Sequence, residues 1–217
     1  MTDSLAPRLR PSELLIIMPG FLDSHRAAIE LAIGELDRLH QLPKHLPLPV
    51  QPTRRRREQG SYDPRLVRMY ISSHARDPAG TFLHEFGHFL DNRMLHPLSK
   101  EYASRYALEL EPFSDACDAT RSVRQLKEEL RFGRKKLDPA DARLLTEACE
   151  PHELFARAYF QWVCTKSEHP YLLQSLTRRL TGSLFVAGKL CKFQWEEEEF
   201  VDIMNAMDRL FGDKGIV

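Results

Sequence analysis

The sequence predicts an α+β fold, mostly helical, with a small sheet in the N-terminal part and helices through the C-terminal part. Three observations carry this expectation. The short β-prone runs all fall before residue 75. After Pro97, apolar residues recur at helical spacing, and several of these stretches open on proline, which suits a first helical turn. No apolar run is long enough to span a bilayer. A chain of 217 residues can bury a substantial core. One domain over 1–217 is the simplest assignment, with an α/β part over about 12–95 and a helical part over about 96–217.

Taken in order, residues 14–18 (Leu-Leu-Ile-Ile-Met) read as a short strand closed by Pro19-Gly20. That run is too short for a signal-peptide core. Residues 24–40 place Ile29, Ile33, Leu36 and Leu39 at helical spacing, and Pro43 closes the helix. Residues 46–50 alternate leucine and proline, which predicts extended chain or an edge strand. The four arginines at 54–57 predict a solvated loop between strands. A contact with an acidic partner or nucleic acid is the sharper alternative, but no interleaved aromatics or basic helix accompany the run.

Gly60-Ser61-Tyr62-Asp63-Pro64 reads as a turn. Residues 66–72 then alternate as a strand, with Val67, Met69 and Ile71 on one face. If its edge is free, the part Arg68–Ser72 can receive an extended peptide by strand addition; an ordinary internal strand is the alternative. Asp77-Pro78-Ala79-Gly80 reads as a loop into the next helix. Further helices are expected near 99–110, 112–132, 139–148, 151–165, 170–180 and 194–211. The carboxylates Glu196 to Glu199 suit the first turn of the last of these, where they complement the helix dipole.

The formal net charge is zero, so bulk electrostatics point to neither nucleic acid nor membrane. Cys117, Cys149, Cys164 and Cys191 are widely separated with no Cys-x-x-Cys. They fit the reduced thiols of a cytoplasmic protein rather than a disulfide framework or a cysteine zinc site.

The stretch that carries chemistry is His84-Glu85-Phe86-Gly87-His88. Two histidines four apart share one helix face, so both imidazoles can reach one zinc ion. Glu85 can contact a water beside the metal without ligating it. Phe82, Leu83, Phe86, Phe89 and Leu90 form an apolar stripe, so the helix is expected to be partly buried. Buried histidines in such a helix need to be satisfied, by a metal or by hydrogen bonds to neighbours.

A hydrolytic zinc site usually takes a third protein ligand. A third histidine six residues after the second is ruled out, because Met94 stands there. His96 reaches only through an unusual turn. Glu153, in the first turn of the helix opened by Pro151, is a candidate, and so is Glu150; a first-turn carboxylate favoured by the dipole is the structural alternative. Gly87, Ala156 and Ala158 are small enough to let the two helices approach closely.

Residues 84–91 resemble the zinc helix of the anthrax lethal factor type of metallopeptidase and of related modules in phage and mobile-element proteins. Glu153-Leu154-Phe155-Ala156-Arg157-Ala158-Tyr159 is similar to that family's second signature, Glu-x-Phe-Ala-x-Ala-aromatic. The resemblance covers about residues 60–95 and 150–165. It implies a zincin-like fold of gluzincin type, with Zn2+ on His84, His88 and Glu153 and with Glu85 as general base. Asp91 either orients a ligand histidine or simply ends the helix. Arg157 stands where lethal factor has an acidic residue; a substrate or carboxylate contact and a salt bridge are the alternatives.

The family's tyrosine shortly before the glutamate ligand has no counterpart, since 107–158 contains none. Tyr159, Tyr62, Tyr70 and His152 are the candidates elsewhere for stabilising the oxyanion. The implied function is zinc-dependent peptide hydrolysis acting on a peptide or protein substrate. The alternative is a zincin-fold binding or regulatory module without turnover.

Overall fold

The computed structural model describes residues 8–56, 58–96, 101–133, 137–186 and 189–217. The chain is α+β and mostly helical. Short strands β1 (Arg8–Leu9) and β3 (Leu42–Pro43) pair antiparallel. A single helical turn, α1 (Pro11–Leu14), precedes β2 (Leu15–Ile17), so the expected first strand loses its leading leucine to a turn opened by proline. Helix α2 (Asp23–Leu39) buries Ile29, Ile33 and Leu36 as its periodicity predicts.

Strands β4 (Leu48–Thr53), β5 (Gly60–Asp63) and β6 (Arg68–Ser72) join β2 in a four-stranded sheet of order β2-β4-β6-β5. The first three run parallel and β5 is antiparallel. Three expectations are corrected here. The first concerns β4, which contains Pro49 and Pro52 yet is an inner strand, not an edge. Backbone groups of successive residues face opposite neighbours. Val50 presents its carbonyl to the β2 side, bonding Met18 N–H, so Pro52 faces that side and Pro49 faces β6. The β2 pairing stops at Val50 and the β6 pairing starts there, so each proline faces a neighbour not paired with it.

The second correction is that Gly60–Asp63 is a strand, not a turn. The turn lies at 64–67, with Val67 in the left-handed region at φ 49°. Asp63 supports it by accepting from the N–H groups of Arg65 and Leu66. The third is that Arg68–Ser72 is flanked by β4 and β5, so it has no free edge; the edge strand on that side of the sheet is β5.

Helix α3 (Pro78–Phe89) packs on β5 and β6. Asp77 caps it by accepting from Gly80 N–H, so the expected loop is already the helix start. After Phe89 the helix widens into a π-helical turn, Leu90–Met94. The helix expected at 99–110 is not formed in its described part, since 101–110 holds only two short 3-10 turns, Ala103–Arg105 and Leu108–Leu110. Residues 99 and 100 lie outside the described residues, as does Arg57 of the arginine run.

The long helix expected at 112–132 is two helices, α4 (Glu111–Ala119) and α5 (Arg121–Gly133). Thr120 breaks it: its hydroxyl accepts from Val123 N–H, as an N-cap does. Helices α6 (Pro139–Cys149), α7 (Pro151–Ser167) and α8 (Pro170–Thr181) follow, as expected. A hairpin of β7 (Ser183–Val186) and β8 (Lys189–Lys192) interrupts the all-helical expectation before α9 (Glu197–Asp213). Within its first turn, Glu199 accepts from the N–H groups of Arg121 and Ser122 and so closes the start of α5.

The core is continuous from the sheet to the last helix, through Val50, Met69, Ile71, Phe82, Phe86, Phe155 and Phe211. Among the described residues no helix is long and apolar enough to cross a membrane.

Candidate metal centre

Helices α3 and α7 build the site. They touch where Gly87 meets Ala156, and a methyl at Gly87 would stand 2.9 Å from Ala156 Cα and 3.1 Å from Tyr159 Cβ. That approach brings Glu153, in the first turn of α7, against the face of α3 that carries both histidines. Its Oε2 lies 3.3 Å from His84 Nε2 and its Oε1 lies 3.2 Å from His88 Nε2. The two imidazoles stand edge to face, with centroids 4.8 Å apart.

These separations suit a metal. Two ligands at about 2.0–2.1 Å from a tetrahedral ion stand roughly 3.3–3.4 Å apart. One donor atom from each of His84, His88 and Glu153 falls within 4.8 Å of the others. Two imidazoles and a carboxylate are a donor set that suits zinc. Glu150 stays outside the group, because its carboxylate pairs with Arg105 at 3.0 Å. His96 packs on Tyr106 instead.

Comparison with protein-family models, curated protein sequences and solved structures returns no match. The site is therefore read from its own geometry.

Burial raises the cost of charging Glu153, yet hydrogen bonds to His84 and His88 outweigh it and hold the carboxyl well below its usual range. Burial pushes His84 down to about 4. His88 is also desolvated, but its contact with Glu153 prevails and raises it. Glu85, one residue from His84, sits beside the three and also meets β5. Burial pushes it up to about 7, against the pull of His88 and Arg179, and its carboxylate accepts from the backbone N–H of Tyr62 on β5. Gly60 on the same strand passes so close that a methyl there would stand 2.5 Å from Thr81 Cγ2 and 3.0 Å from Glu85 Oε1. A bare α-carbon is what lets the edge strand lie over the helix at that point.

The structure brings His84, His88 and Glu153 together with Glu85 beside them, and it gives several other candidates different partners. Tyr159 is fully buried and its hydroxyl donates to His40. Tyr62 donates to Asn92 Oδ1 at 3.1 Å. Asp91 does not hold a ligand histidine; its two oxygens accept from Ser104 N–H at 2.8 Å and Ser104 Oγ at 2.6 Å. Arg157 is buried and forms no ion pair with a carboxylate among the described residues. Its guanidinium donates to the carbonyls of Ala148 and Phe193, with the ring of Trp195 5.3 Å away.

Sequence reasoning missed Tyr102. It lies in the segment clamped by Asp91 and Ser104, with its ring stacked on His152 at 4.6 Å and edge-on to His88 at 5.8 Å. Burial raises its phenol, and the charges of Glu153 and Glu85 add to that, so it stays protonated at neutral pH. His152 is pushed down to about 4 by burial and by His88, and is neutral there. No spacing in the sequence marks Tyr102, since it sits between the two motifs on irregular chain.

Proposed function

We propose that this protein is a zinc-dependent endopeptidase with a zincin-like fold of gluzincin type. The observation that carries the reading is the convergence of His84, His88 and Glu153 beside the buried carboxyl of Glu85. His84, His88 and Glu153 would hold the zinc, which would supply Lewis acidity to a water and to the carbonyl of the bond to be cut. Glu85 takes the proton of the attacking water and hands it to the departing amine nitrogen. Tyr102 O–H donates a hydrogen bond to the carbonyl oxygen as that oxygen gains charge, and stacking on His152 keeps the ring in place. The outer edge of β5, not Arg68–Ser72, offers the substrate backbone its hydrogen bonds.

The test combines metal analysis with hydrolysis of a mixed peptide library. The wild-type protein is expected to carry one zinc per chain and to cleave. Glu85→Gln keeps the zinc and loses at least about a hundredfold in rate. Glu153→Ala loses the zinc. Undiminished cleavage by Glu85→Gln rejects the mechanism, and unaltered zinc affinity in Glu153→Ala rejects the ligand set.

A further inference from the structure

We propose that the arginine loop between β4 and β5, together with Arg76, is a docking site for an acidic segment of the peptide substrate, on the C-terminal side of the bond that is cut. The inference rests on the peptidase reading for the position of that bond. The loop itself is described by independent observations.

Arg54, Arg55 and Arg56 are consecutive and exposed, and so is Arg76 in the connection from β6 to α3. Among the described residues, Glu58 is the one carboxylate in contact with them, 3.1 Å from Arg55. The loop is pinned at its base. Ser72 Oγ donates to the Arg55 carbonyl at 2.8 Å, Ser72 N–H donates to the Gln59 carbonyl at 2.8 Å, and Arg76 N–H donates to Gln59 Oε1 at 2.9 Å. These bonds join the two arginine-bearing segments, so their positive charge is displayed together on a fixed base.

Its place relative to the site follows from the chain. Gly60 lies against Glu85. Arg56 is four residues upstream, which is at most about 13 Å at roughly 3.3 Å per residue. Antiparallel pairing is the commoner sense between strands, and a peptide added to β5 in that sense runs from Asp63 towards Gly60, so its C-terminal side leaves the strand over the arginines. Acidic side chains about three to six residues beyond the cut bond meet Arg54, Arg56 and Arg76. Nucleic acid is the competing polyanion. The loop carries no aromatic side chain for a base to stack on, and the chain as a whole has no net charge.

The test measures fluorescence anisotropy on full-length Glu85→Gln protein. The probes are labelled peptides with one apolar core and a C-terminal tail of four acidic, four amide or four basic residues. At low salt the acidic tail is expected to bind about tenfold tighter than the amide tail, the scale of two or three exposed ion pairs. That ratio falls towards one in high salt. It falls towards one also in Arg54→Ser/Arg56→Ser/Arg76→Ser, whose fold is checked by thermal melting. Equal affinities at low salt overturn the proposal, as does a ratio that survives the triple substitution. Tighter binding of an oligothymidylate than of the acidic peptide overturns it in favour of nucleic acid. The same preference is expected after chelation of metal, because the loop supplies no ligand. A protein that holds no zinc and cuts nothing, yet keeps the preference, loses the peptidase reading and retains the docking site. A zinc-loaded, active protein without the preference does the reverse.

Discussion

Under the proposed function, Tyr102 is a side chain that acts in the reaction without a motif to announce it. Its ring leans on His88 and His152, and its loop is tied down by the two hydrogen bonds from Ser104 to Asp91. Tyr102→Phe is expected to lower kcat by about ten- to a hundredfold, with KM and zinc content little changed, because the lost donor acts on charge that develops during reaction. Equal kcat in that variant removes Tyr102 from the chemistry. His84, Glu85 and His88 were legible in the sequence because one helix sets their mutual positions, and helical spacing is a local property. Glu153 was one of two candidate carboxylates by position alone, and the resemblance favoured it over Glu150. Tyr102 was not, because its position depends on a buried carboxylate thirteen residues from Ser104 in the chain, a contact that no periodicity encodes.

Between elements, the close crossing of α3 and α7 is the feature that brings His84, His88 and Glu153 together. Gly87→Ala places a methyl against the backbone of Ala156, which cannot swing away as a side chain end can. The expected cost is about 2–3 kcal/mol in urea unfolding, together with weaker zinc affinity. A neutral outcome in both would show that the helices have room to separate. Small residues at 87, 156 and 158 already implied this approach. The sheet was harder to read. Gly60-Ser61-Tyr62-Asp63 has the composition of a turn, and it becomes a strand because β6 offers it a complete antiparallel partner. The prolines of β4 misled in the opposite sense, since the stagger of the strands on either side leaves their missing N–H groups without a ladder to break.

Across the whole molecule, His40 links three distant parts. It follows α2, its Nε2 accepts from Tyr159 O–H of α7 at 2.8 Å, and its Nδ1–H donates to the carbonyl of Ile216 near the C-terminus at 3.3 Å. A carbonyl can only accept, which sets this tautomer. Burial pushes the imidazole down to about 4 from its usual 6.5, with the bond to Ile216 working the other way. The unfolded chain therefore takes up a proton before the folded one does. The stability that this neutral histidine contributes is present above about pH 6.5 and is lost as pH falls towards 4, by up to about 3 kcal/mol. Urea midpoints at pH 7.5 and 5 should differ in the wild type, and the difference should shrink in His40→Gln; an unchanged pH dependence would remove His40 as its source. Arg157 links distant parts in another way. One desolvated cation gathers two oxygens, from the end of α6 and from the approach to α9, one helical turn beyond Glu153. Under the proposed ligand set, metal affinity would therefore depend on a stretch of chain that donates nothing to the ion. Loading with zinc is expected to slow amide exchange around Phe193 and Trp195, and loosening that stretch should let the cation escape.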